Sequence, residues 1–115
     1  MQKIYKNQTA LTFQLDTKIN LTAATEAVIK YTKPGIPVVT GEWVATVDTP
    51  AADGIISYDI VSEDDLDESG EWTIWAYVTF SGSLVAPGDF YKFIVYEQGT
   101  WWVIKIIIFI DYFYI

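Results

Sequence analysis

The chain is 115 residues long and 17% aromatic, with 7 basic against 15 acidic side chains and a net charge of −8. It contains no Arg, His or Cys. That composition excludes disulfides, thiolate metal sites and the usual nucleophile–His triad. It also argues against binding phosphate backbones or anionic membranes, where Lys and Arg must displace counterions.

The length suits a single domain able to bury a core without covalent staples. The 5 Trp, 8 Tyr and 6 Phe favour pleated surfaces. The start, Met1-Gln2-Lys3-Ile4-Tyr5-Lys6, runs into polar Asn7-Gln8-Thr9 and does not read as a secretory leader. Ala10 to Thr17 alternates cleanly, with Leu11, Phe13 and Leu15 on one side and Thr12, Gln14 and Asp16 on the other. It predicts a half-buried strand. Lys18 to Thr22 reads as a turn with Ile19 or Leu21 tucked under the sheet edge.

A second strand is predicted from Glu26 to Lys33, facing Ala27, Ile29 and Tyr31 inward and ending at the turn dipeptide Pro34-Gly35. A helix over Leu21 to Ile29 is the rival, and β-branched Val28 and Ile29 argue against it. Glu42 to Asp48 reads as a third strand, with Trp43, Ala45 and Val47 sharing a face. Ile55 to Val61 reads as a fourth, with Ile56, Tyr58 and Ile60 inward.

The most informative stretch is Ser62 to Val78. An acidic corner holding Leu66 leads through Gly70 into a strand whose Trp72, Ile74, Ala76, Val78 and Phe80 share a face. Trp75 and Tyr77 point the other way, so both sides of this strand are candidates for cover. Acidic corner, glycine, aromatic and alternating strand, in that order, are how immunoglobulin-like sandwiches carry the chain between sheets. Ser81-Gly82-Ser83 and Ala86-Pro87-Gly88-Asp89 punctuate a hairpin, and Phe90 to Glu97 is the sixth predicted strand. The expected fold is an all-β, immunoglobulin-like antiparallel β-sandwich over residues 1–99, followed by an apolar C-terminal strand over 100–115.

That C-terminal run, Trp101 to Ile115, is interrupted only by Lys105 and Asp111. A bilayer-spanning helix needs about 20 apolar residues, so the run is short for one. Its Ile106-Ile107-Ile108 core favours a strand, which fully extended would reach on the order of 50 Å. Three readings stay open: the sandwich's own last strand, a strand that pairs with a neighbouring subunit, or a short membrane segment. The interface candidates are Trp101, Trp102, Ile104, Ile106, Ile108, Ile110, Tyr112 and Tyr114.

Several runs carry the resemblance to a known family. They are Leu21 to Thr25 with Val28 to Gly35, Gly41-Glu42-Trp43, Asp65-Leu66 with Gly70-Glu71-Trp72, Ala76-Tyr77-Val78, and Phe93 to Glu97. Over about Lys3 to Gly99 the chain resembles Ig-like domains encoded among the structural genes of tailed bacteriophages and prophages. The resemblance implies a non-enzymatic virion subunit (capsid, decoration, tail or baseplate). Its partners would be other copies of itself and neighbouring virion proteins, joined through sheet edges and the C-terminal strand. It implies no catalytic residue, cofactor or metal. The C-terminal run departs from the family pattern.

Other chemistry reads weakly. Asp59, Glu63, Asp64, Asp65, Asp67, Glu68 and Glu71 supply oxygens of the kind Ca²⁺ takes, without the spacing of a dedicated loop, and a solvated corner is the plainer reading. Trp75, Tyr77, Trp101 and Trp102 could stack on sugar rings, which makes a carbohydrate- or host-surface-binding adhesion module the alternative function.

Overall fold

Side chains alternating along neighbouring strands sort into two apolar rows, and burial of those rows against each other makes the core. The computed structural model describes residues 3–98. In chain order the strands are β1 (Ile4–Tyr5), β2 (Leu11–Asp16), β3 (Ala24–Lys33), β4 (Val39–Val44), β5 (Thr46–Val47), β6 (Ile55–Ile60), β7 (Gly70–Phe80) and β8 (Leu84–Tyr96). Five form one sheet in the order β1-β8-β7-β3-β4, and three form a second, β2-β6-β5. Strand pairs are antiparallel except β1, which lies parallel to β8. The described residues therefore form an all-β, sandwich-like fold.

The inward rows are those that alternation picks out. Ala27 and Ile29 on β3, Trp72, Ile74, Ala76 and Val78 on β7, and Val95 on β8 meet Leu15 of β2 and Ile56 and Ile60 of β6. Trp43 of β4 bridges the layers. Its ring stacks on Phe13 at 5.6 Å and on Tyr58 at 5.2 Å, both from the other sheet, and lies 6.2 Å from Trp72. Pairs of this kind add about 0.5–1.5 kcal/mol each beyond the area they bury.

The acidic corner is built from the inside. Leu66 is fully buried, and its carbonyl accepts the Asn7 amide at 2.8 Å. Trp72 Nε1 donates to the Glu68 carbonyl four residues upstream, at 2.9 Å. Gly70 has φ +124°, and a Cβ there would lie 2.8 Å from Pro34 Cβ, so the entry into β7 requires glycine.

Two expectations change, and one strand is added. The stretch Glu42 to Asp48 is not one strand: it breaks at Ala45, with β4 in the five-stranded sheet and β5 in the other. The Ala45 amide bonds the Ala27 carbonyl at 3.0 Å as the chain crosses between layers. Second, β8 starts at Leu84, not Phe90, because Ala86 to Asp89 continues the strand through a register shift opposite Trp75–Tyr77. Bulges accommodate the Pro and Gly that would stop a regular strand. The added strand, β1, joins the sheet although two residues carry no periodicity. In the Lys18–Thr22 turn it is Leu21 that is buried, while Ile19 stays exposed. The rival helix over Leu21 to Ile29 is replaced by β3.

Candidate interaction surface

Antiparallel sheets ordinarily turn a polar face to water. The three-stranded sheet does so. Its outward residues include Thr12, Gln14 and Asp16 on β2 and Ser57 and Asp59 on β6, tied by Thr12 Oγ1 to Asp59 at 2.7 Å and Ser57 Oγ to Asp48 at 2.6 Å. Gln14 also donates to Asp48, at 3.2 Å. An open hollow of about 380 Å³ here is lined by Gln14, Asp16, Asp48, Thr49, Pro50, Asp53 and Ile55. Among the described residues no acidic group gathers closely enough to hold a metal ion.

The outer face of the five-stranded sheet is different. Strand register places Val44, Val28, Tyr77 and Pro87 in one row across β4, β3, β7 and β8. Glu42, Lys30, Trp75 and Phe90 form the next, and Thr40, Thr32, Thr73 and Lys92 a third. Val28 is only 3% exposed because its row neighbours cover it, whereas Val44 is 72% and Phe90 64% exposed. Val85, Ile94, Tyr96 and Tyr5 extend the apolar area along β8 and β1. Outward apolar side chains thus recur across the face, broken by the threonine row and the Glu71–Lys92 pair.

Charge on this face is of mixed sign. Lys30 stands directly opposite Glu42 in register, yet its ammonium lies over the Tyr77 ring, 4.0 Å from the centroid. Such a contact at an exposed site contributes about 0.5–1 kcal/mol. An open hollow of about 340 Å³ remains, lined by Lys30, Thr40, Gly41, Glu42 and Trp75. The Tyr31 ring packs directly beneath Gly41 and leaves no room for a Cβ there. Glu71 and Lys92 form an exposed ion pair at 3.6 Å further along the face.

The carboxylates of the corner are occupied separately. Asp67 presents Oδ1 and Oδ2 to Lys33 Nζ at 2.8 and 2.9 Å, and Oδ1 has no other partner among the described residues. The hydrogen bond to Asp67 raises the Lys33 pKa, outweighing a smaller opposing effect of burial. Asp65 accepts the Tyr58 hydroxyl at 3.1 Å. The Tyr58 pKa is raised, first by burial and then by that hydrogen bond. These contacts brace the turn.

Trp75 and Tyr77 are thus together on the open face, and Trp75 lines its hollow. Trp101, Trp102, Ile104, Ile106, Ile108, Ile110, Tyr112 and Tyr114 lie outside the described residues. Sequence reasoning missed Val44, Phe90 and the Lys30–Glu42 pair as members of this surface. The available signal was that both large residues on the non-core side of β7 are aromatic. No family model matches the chain, and no curated protein matches it.

Proposed function

We propose that the chain is a non-enzymatic virion structural subunit with an Ig-like sandwich, and that it assembles through the outer face of the five-stranded sheet. The observation carrying this reading is the apolar row Val44-Val28-Tyr77-Pro87, with Phe90 beside it, on a face that antiparallel sheets normally leave polar. The virion setting rests on the resemblance of the Leu21–Gly35, Asp65–Trp72 and Phe93–Glu97 runs to tailed-phage Ig-like domains.

Strand order supports the Ig-like assignment. On this assignment β2-β6-β5 would stand as strands B, E and D, and β3, β7 and β8 as C, F and G. On the same assignment the Trp72–Glu68 bond would take the part of the tyrosine corner of Ig domains. The chain departs in having no cysteine. The Trp43 stack links its sheets in place of a disulfide.

Light scattering on the full-length chain over a wide concentration range tests the reading. Defined oligomers that Val44→Asp dissociates are expected, with folding unchanged by circular dichroism. The same chain ended at Gly99 separates the contribution of the face from that of residues 100–115. A chain that stays monomeric and ignores Val44→Asp overturns the reading.

One observation favours the carbohydrate-binding alternative. Trp75 offers an aromatic surface in a hollow that also holds Lys30, Thr40 and Glu42, the polar groups a sugar ring needs. Quenching or shift of tryptophan fluorescence by oligosaccharides, lost in Trp75→Ala, would select it.

A further inference from the structure

The outer face of the five-stranded sheet carries a projection and a recess on either side of Trp75. Phe90 pairs with Trp75 across β8 and β7 and projects into solvent. On the other side, Lys30 and Glu42 flank the open hollow between β3 and β4. At about 4.8 Å between strands, projection and hollow are separated by roughly 12 Å, with their midpoint close to Trp75. A twofold axis through that midpoint exchanges the two features, which is the self-complementarity an isologous interface requires.

We propose that two copies of this chain dock face to face about such an axis, each Phe90 entering the hollow of the other copy. This rests on the assembly reading above and names its first contact. Three observations select a second copy as the occupant. The middle of the face balances Lys30 and Lys92 against Glu42 and Glu71, with Glu26 at its far end, although the chain carries −8 overall. Like copies therefore meet here with little repulsion, whereas the other sheet would set Asp16, Asp48 and Asp59 against their equivalents. Strands of 13, 11, 10, 6 and 2 residues cover on the order of 650 Å² by standard spacings, close to one side of a standard interface. Finally, Lys30 already lies on the Tyr77 ring, and the incoming phenyl ring gives its ammonium a second aromatic face, with Glu42 as counter-charge.

Sedimentation of the full-length chain with paired variants tests the geometry. Phe90→Ala removes the projection, and Thr40→Trp fills the hollow from its exposed rim. Each alone should raise the dimer dissociation constant at least about tenfold, the scale of a truncated interface anchor. Mixing the two in equal amounts should restore dimers, because the intact Phe90 of one meets the open hollow of the other. Circular dichroism checks that both variants fold. If each variant weakens association but the mixture does not recover, this docking geometry is overturned and the assembly reading stands. If neither these variants nor Val44→Asp changes the mass, both fall.

Discussion

The two outer faces of this sandwich cover one core and follow opposite rules. On the three-stranded sheet the outward positions are polar or acidic apart from Ile55, and the hydroxyls and carboxylates satisfy one another. On the five-stranded sheet valines and aromatics face outward, and an ammonium rests on a ring although a carboxylate stands opposite in register. Net charge thus says little about how a small domain meets its partners. What matters is how the charge is distributed, and over one broad face the two signs nearly balance.

The sharpest way to test that contrast lies within β7, where Trp72 and Trp75 point to opposite sides. Trp72→Ala should cost about 3–5 kcal/mol in urea unfolding, since it empties a fully buried site and frees the Glu68 carbonyl. Trp75→Ala should cost under about 1.5 kcal/mol and act on assembly mass instead. Equal losses of stability would mean that Trp75 belongs to the core and would end the comparison.

The corner joining the faces should come next in size. Lys33→Met is expected to cost about 1–2 kcal/mol, because it strands the partly buried Asp67 carboxylate. Both perturbed groups have pKa values raised on folding, from 10.5 for Lys33 and 10.0 for Tyr58. The folded state therefore holds their protons more tightly, and their contribution is whole below those values. It is lost as pH rises through the folded-state values. Urea midpoints should fall above about pH 10 for wild type, and less steeply for Lys33→Met combined with Tyr58→Phe. The smallest effect belongs to the acidic face. Thr12→Val should cost no more than about 1 kcal/mol and leave assembly mass unchanged. A mass change there would show that this face also docks.

Much of the layering was legible because burial alternates with the strand period. Leu15, Ile29, Ile56 and Trp72 all face the core as their spacing predicts. The illegible parts each have a physical reason. β1 is too short to carry a period. Pro87 and Gly88 look like a break, but β1 pairs only with Val95 and Tyr96, so the missing N–H falls where β8 borders no strand on that side, and Gly88 passes close to Ala76 within the irregular register. The switch of sheets at Ala45 leaves Trp43 and Val47 facing one core from different layers, so alternation cannot reveal it. Trp75 and Tyr77 were visible as a non-core aromatic pair. Val44, Lys30 and Phe90 join them only through cross-strand register, which one strand's sequence does not encode.

The parallel pairing of β1 with β8 has a mechanical consequence. Ile4 lies beside Val95 and Tyr5 beside Tyr96, while the Lys6 amide bonds the Tyr96 carbonyl at 2.8 Å. Tension drawn between the start of β1 and the end of β8 pulls two parallel neighbours in opposite directions along their length. Their hydrogen bonds are then loaded side by side in shear, and none can be peeled away before the rest. Two residues of strand thereby act as a latch, holding the edge of the sheet closed when the chain is stretched from its ends.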